Sequence, residues 1–142
     1  MSDSVIRLSG FYYAYPQSDV LLKDINLSVE KGSFTAIAGP SGAGKTTLCR
    51  AMTGIVPTYY GGRYAGAVEV LGEDIRDKKI SDLAMRVGIM LDDYESQMVS
   101  LTAGEEISFS LLNHGFSPDE VDARVTVSYT HLRAHETSAH LV

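Results

Sequence analysis

The chain has 142 residues, enough for one ordinary domain or part of one, and its 44% hydrophobic and 21% charged residues are the balance of a soluble globular protein. A formal net charge of −6, with no local Lys/Arg cluster to offset it, excludes a nucleic-acid-binding surface. No apolar run approaches the roughly eighteen residues of a membrane span, no signal peptide opens the chain and the lone Cys49 cannot form an internal disulfide, so a cytoplasmic protein is expected.

In chain order, residues 5–13 predict a strand that closes at Tyr15-Pro16 and the polar turn Gln17-Ser18-Asp19. Residues 22–30 predict a second, because Leu22, Ile25, Leu27 and Val29 end in strict alternation before Lys31-Gly32 turns the chain. The short apolar run 33–38 predicts a third strand. It leads into Gly39-Pro40-Ser41-Gly42-Ala43-Gly44-Lys45-Thr46-Thr47, which fits the phosphate-binding loop pattern G-x-x-x-x-G-K-[ST] at every defined position. Residues 45–52 predict the helix that should follow, ended by Gly54 and Pro57. Residues 59–64 read as a loop, 66–72 as a strand between glycines, 73–79 as a polar connection and 81–86 as a short helix leading into an apolar strand at 87–91. An acidic loop spans 92–100. Thr102 with Glu105, and Ser117 with Glu120, then form two capping-box signatures separated by the stop residue Gly115, which predicts two helices.

Strand, glycine loop and helix is the context the phosphate-binding pattern requires. Gly39, Gly42 and Gly44 lack Cβ, so the loop can take positive φ and bring its N–H groups up to phosphate oxygens. The helix start adds unpaired N–H groups and the positive end of its dipole, and Lys45 adds a full charge able to reach the β- and γ-phosphates. The Thr46 hydroxyl is placed to ligate Mg²⁺. The two half-buried strands ahead of the loop suggest a small antiparallel sheet leaning on this nucleotide core, more than a minimal nucleotide fold needs.

Tyr15, the run Leu22-Lys23-Asp24-Ile25-Asn26-Leu27 and the phosphate loop continuing into Leu48 resemble, in that order, the start of an ATP-binding cassette (ABC) transporter ATPase. Further on, Pro57-Thr58-Tyr59-Tyr60-Gly61-Gly62, Gly66-Ala67-Val68-Glu69-Val70, Val87-Gly88, Glu95-Ser96-Gln97 and Ser100-Leu101-Thr102 before Glu105-Glu106 are similar to the ATPases of energy-coupling factor transporters, which take up vitamins and metal ions. The resemblance covers about residues 5–125. It implies an α/β fold: a P-loop NTPase core, truncated here, with an N-terminal antiparallel β subdomain. Tyr15 would stack on adenine, and Gly39, Pro40, Ser41, Gly42, Ala43, Gly44, Lys45, Thr46 and Thr47 would hold Mg-ATP. The implied partners are transmembrane transporter subunits and a second ATPase subunit or domain. The chain itself would lie in the cytoplasm at the inner face of the membrane, without crossing it.

The resemblance also implies a glutamine at the head of the loop after 87–91, as a ligand of Mg²⁺ and water. Asp92 stands there instead. Its carboxylate still offers hard oxygens to Mg²⁺ but is shorter and charged, while Gln97, five residues later, would need the loop to shift. Taken alone, Val87-Gly88-Ile89-Met90-Leu91-Asp92 has the form of the acidic Mg²⁺-binding motif of phosphate-loop NTPases. A compact non-transport NTPase or kinase using Asp92 therefore stays open, as does a non-catalytic nucleotide-binding regulatory module.

The family's Leu-Ser-Gly-Gly-Gln signature, catalytic glutamate and switch histidine are not in the sequence. Residues 1–126 therefore read as the N-terminal part of a nucleotide-binding domain, expected to be inactive in hydrolysis by itself. Residues 127–137, Val-Ser-Tyr-Thr-His-Leu-Arg-Ala-His-Glu-Thr, resemble the conceptual translation of a DNA adaptor used in sequencing libraries. The segment 127–142 is expected to be a non-native tail, disordered or of arbitrary structure. A metal site at His131, His135 and His140 is set aside, because no convincing cysteine or carboxylate shell accompanies them.

Overall fold

Strand β1 (Ser4–Ala14) pairs antiparallel on one side with β2 (Leu22–Glu30) and on the other with β3 (Arg63–Val70). The two-residue β4 (Glu73–Asp74) completes a sheet of order β2-β1-β3-β4. These elements belong to a computed structural model that describes residues 4–131 and divides into two compact units, Met1–Met90 and Leu91–Val142. Apolar residues line up across the ladder: Ile6 lies opposite Val29 and Val70, and Leu8 opposite Leu27 and Val68. Strict alternation would then send Phe11 and Tyr13 to the other face from Leu8. The register shifts between Leu8 and Phe11, around Gly10 at φ 51°, and re-phases the strand so that all three are buried. Asn26 Oδ1 accepts from the Gly10 N–H at 2.9 Å, which satisfies the displaced peptide.

The core of this unit joins Leu8, Phe11, Tyr13, Leu22, Val68 and Val70 of the sheet to Leu48 and Ala51 of α1 (Lys45–Met52), Val56 of the short α2 (Ile55–Thr58), and Leu83 of α3 (Ile80–Ala84). Helix α1 ends at Thr53 with Gly54 at φ 73° following it, as the glycine stop predicts. Beyond β4, Glu73 pairs with Lys78 at 3.0 Å and Arg86 at 3.2 Å, and the hydrogen bond from Lys78 lowers the Glu73 pKa.

Two predicted strands are corrected. Residues 33–38 and 87–91 have no strand assignment and no ladder partner among the described residues. A β-strand is completed by its neighbours, and without one these runs leave apolar side chains exposed, although Val87 still packs against the core. Phe34 is accordingly 95% exposed and Met90 83%. The strand expected at 66–72 runs instead from Arg63 to Val70, because residues 63–65 pair with residues 12–14 of β1, and the helix expected at 81–86 spans Ile80–Ala84.

The second unit holds a 3₁₀ turn (Glu95–Gln97) and two helices, α4 (Ala103–Asn113) and α5 (Pro118–His131), which pack on each other. The Thr102 box is complete: Glu105 N–H donates to Thr102 Oγ1 at 3.3 Å and Thr102 N–H to Glu105 Oε2 at 3.1 Å. At the next helix Ser117 donates to Glu120 Oε2 from its N–H at 2.9 Å and its hydroxyl at 2.7 Å. Gly115, at φ 81°, turns the chain between them. Helix α5 continues through Val127 to His131, while His135 and His140 lie outside the described residues. Among the described residues no group of three or more His, Cys, Asp or Glu could hold a metal ion, and no helix is long and apolar enough to cross a membrane.

Candidate functional site: a phosphate loop with a tyrosine platform

The phosphate loop enters α1 through Gly44, the N-cap, at φ 93°. A Cβ built there would lie 2.8 Å from Leu22 Cδ2, so both the left-handed backbone and the packing against β2 require glycine. A glycine cap offers no side-chain acceptor. The first-turn N–H groups of α1 therefore have no side-chain cap, the arrangement that receives anions at a helix start.

Lys45 Nζ donates to the carbonyls of Gly39 and Pro40, both at 2.8 Å, which holds the ammonium across the loop it follows. An ammonium has three N–H donors, so this arrangement leaves one for a phosphate oxygen. Ala43 N–H donates to Pro40 O at 3.2 Å and tightens the turn between them. Residues 39–43 are exposed, Lys45 and Thr46 half-buried, and Thr47 and Leu48 buried, so the loop faces solvent while its helix is anchored in the core.

Tyr15 is placed by the turn that ends β1. Ser18 N–H donates to Tyr15 O at 3.2 Å, with Pro16 second and Gln17 at φ 59° third, the pattern of a type II turn. The Tyr15 hydroxyl lies 3.1 Å from Thr47 Oγ1, and Arg50 Nη1 donates to it at 3.3 Å. Both partners belong to α1, so the predicted base platform and the predicted phosphate cradle share one helix.

The ring of Tyr15 is gripped as well. It meets Tyr13 edge-on, with centroids 5.0 Å apart and planes at 80°, and Tyr60 at 6.1 Å and 89°. Tyr60 in turn lies under the Arg50 guanidinium at 4.8 Å and against Tyr59 at 5.2 Å. Fully buried Tyr13 donates its hydroxyl to Gly61 O at 2.7 Å, tying the Tyr59-Tyr60 loop to β1. Burial first, then the neighbouring Tyr15, raises the Tyr13 pKa, while Arg50 opposes the shift.

Tyr15, Lys45, Thr46 and Thr47 are thus gathered in one unit. Asp92 belongs to the other unit, exposed at the head of its loop, and the preceding Leu91 N–H donates to Gln97 Oε1 at 3.0 Å. The Gln97 amide therefore already reaches the backbone beside position 92, despite the five-residue separation. Arg50 and Tyr60, which contact Tyr15, were not singled out by the sequence reading. Their signals were an arginine five residues after Lys45 on the same helix and a tyrosine pair ahead of two glycines, neither of which specifies a contact.

Several known proteins are similar to this chain. A putative ABC transporter ATP-binding protein of Methanosarcina mazei is 36% identical over 99% of this chain, which covers 24% of that protein. Another from Pyrococcus abyssi is 35% identical over 86% of the chain and 44% of its own length, so the chain spans less than half of either relative. The structure of CbiO1 from Clostridium perfringens, described as part of the ABC transporter complex CbiONQ, superposes with a TM-score of 0.74 at 27% identity, over 91% of this chain and 50% of that one. The ABC transporter family profile matches residues 22–142, most of the sequence and all of the phosphate loop, and the chain belongs to that family.

Proposed function

We propose that the chain is the nucleotide-entry part of an ABC importer ATPase of the energy-coupling factor type, binding Mg-ATP and, in its full-length parent, coupling hydrolysis to transport. The observation that carries this is the attachment of Tyr15 to Thr47 and Arg50 on the helix that starts at the phosphate loop. Base and phosphates would then be read by one rigid element. In this reading the backbone N–H groups of residues 39–47 other than Pro40 supply donors, Lys45 holds the β- and γ-phosphates and Tyr15 stacks on the base. Thr46 offers a hydroxyl, a hard oxygen suited to Mg²⁺, which when bound would neutralise phosphate charge, and Asp92 is a separate candidate carboxylate carried by the other unit.

The likeness to CbiO1, part of the ABC transporter complex CbiONQ, supports partner subunits for the parent, which in this reading are transmembrane subunits and a second ATPase subunit, with the chain beneath the membrane in the cytoplasm. The tail from Val127 remains, in our reading, sequence foreign to the parent, although α5 crosses that boundary unbroken. An independent clone read past codon 126 tests this, since a foreign tail predicts a different continuation there.

Calorimetric titration of residues 1–142 with Mg-ATP tests the site. Binding is expected, with Lys45→Ala weakening it at least about tenfold, a loss of roughly 1.4 kcal/mol. Phosphate release should stay at background. Equal affinity of wild type and Lys45→Ala would refute the site, and turnover sensitive to that substitution would refute the inactivity of this part.

A further inference from the structure

Beyond the stacking tyrosine itself, the geometry points to Tyr60 as a positioning residue of the base site: it sets the plane of Tyr15 and, through Arg50, ties that plane to α1. This rests on the reading of Tyr15 as the base platform. A phenol ring attached only by its hydroxyl can still turn about its long axis, so the Thr47 and Arg50 contacts locate the tip of Tyr15 without fixing its face. Edge-on neighbours remove that freedom. Tyr13 supplies one from the buried core and Tyr60 the other, with their planes at 80° and 89° to Tyr15.

Tyr60 can act in this way because its own position is determined. The Arg50 guanidinium lies 4.8 Å from its ring centroid, Tyr59 packs against it, and the next residue, Gly61, receives the Tyr13 hydroxyl. Gly61 N–H also donates to Pro57 O at 2.6 Å, closing the turn that carries both tyrosines. Gly62 follows at φ 106°, where an added Cβ would run into Ala14 O, so the loop lies directly on the end of β1. Arg50 thus touches both rings, at the Tyr15 hydroxyl and the Tyr60 face. A ring held in advance spares a planar base the entropy of ordering its platform, which raises affinity without a new contact to the ligand. Tyr60 is accordingly expected to affect the base-dependent part of binding and leave the phosphate-dependent part alone.

The test compares Tyr60→Leu and Tyr60→Phe in the full 142-residue chain, each titrated with Mg-ATP and with inorganic tripolyphosphate. Leucine keeps bulk and removes the π face, whereas phenylalanine keeps the ring that Tyr15 and Arg50 touch. Tyr60→Leu should weaken ATP about fivefold and leave tripolyphosphate within about twofold, and Tyr60→Phe should restore ATP affinity. Wild-type affinity for ATP in Tyr60→Leu, with Tyr15→Ala still weakened, would overturn the positioning role and leave the proposed function standing. Equal weakening of ATP and tripolyphosphate would overturn it too, by showing that the loop merely supports the fold. If Tyr15→Ala binds ATP as wild type does, the platform reading fails, and this inference with it. Unchanged tripolyphosphate binding in each variant serves as the evidence that the site is folded.

Discussion

Within the phosphate loop, Gly44 is the glycine most constrained by its surroundings. It combines φ 93° with a near contact to Leu22, and it begins the helix that carries Lys45, Thr47 and Arg50. Alanine there would face the left-handed penalty of about 1–2 kcal/mol, and the Leu22 side chain would also have to move. Gly44→Ala should therefore lower the melting temperature and weaken Mg-ATP together, as read by thermal denaturation and titration. Unchanged values for both would show that the cap tolerates a side chain. Lys45 has a different kind of constraint, because its ammonium already donates to two loop carbonyls. The pattern of loop glycines, lysine and threonine was legible in the sequence because each is demanded by local backbone chemistry. The Arg50–Tyr60 stack was not, since it depends on a bulge at Gly10, a turn at Pro16 and a loop lying on the end of β1.

At the level of elements, helices and caps were the most readable features, because their signals lie within four residues of one another. The Thr102 box forms in both directions, the Ser117 site forms through the Glu120 carboxylate, and Gly115 follows α4 where expected. Glu120 also offers a pH test. Its pKa falls below the ordinary 4.5, chiefly through the hydrogen bond from the Ser117 N–H and then through the Ser117 hydroxyl. A folded pKa below the unfolded one contributes stability above the unfolded value, lost as pH falls through the folded value. Glu120→Gln should therefore lower the melting temperature of the chain at neutral pH, with the difference vanishing on acidification below 4.5. A difference that persists in acid would assign the effect to packing rather than to the charged cap. The runs at 33–38 and 87–91 were misread for the opposite reason. Their composition favours strands, but ladder formation depends on a neighbour that composition cannot show.

For the whole molecule, the antiparallel sheet and its helices form a packed unit, whereas the runs 33–38 and 87–91 leave large apolar side chains exposed. Phe34 and Met90 are the extreme cases. Extended apolar backbone of this kind favours association between molecules, so the chain should be poorly soluble, and Phe34→Ser should raise the soluble fraction without altering the melting temperature. Light scattering and a soluble-yield comparison would show this, and an unchanged yield would place the aggregating surface elsewhere. The segment containing Phe34 also runs straight into Gly39, so the phosphate cradle is suspended from backbone that no ladder supports among the described residues. Ordering such backbone costs roughly 1–2 kcal/mol per residue. A phosphate that orders the loop and a strand that docks beside residues 33–38 would offset the same cost, so each would strengthen the other by an equal factor. Nucleotide affinity would then report how completely the sheet beneath the loop has been assembled.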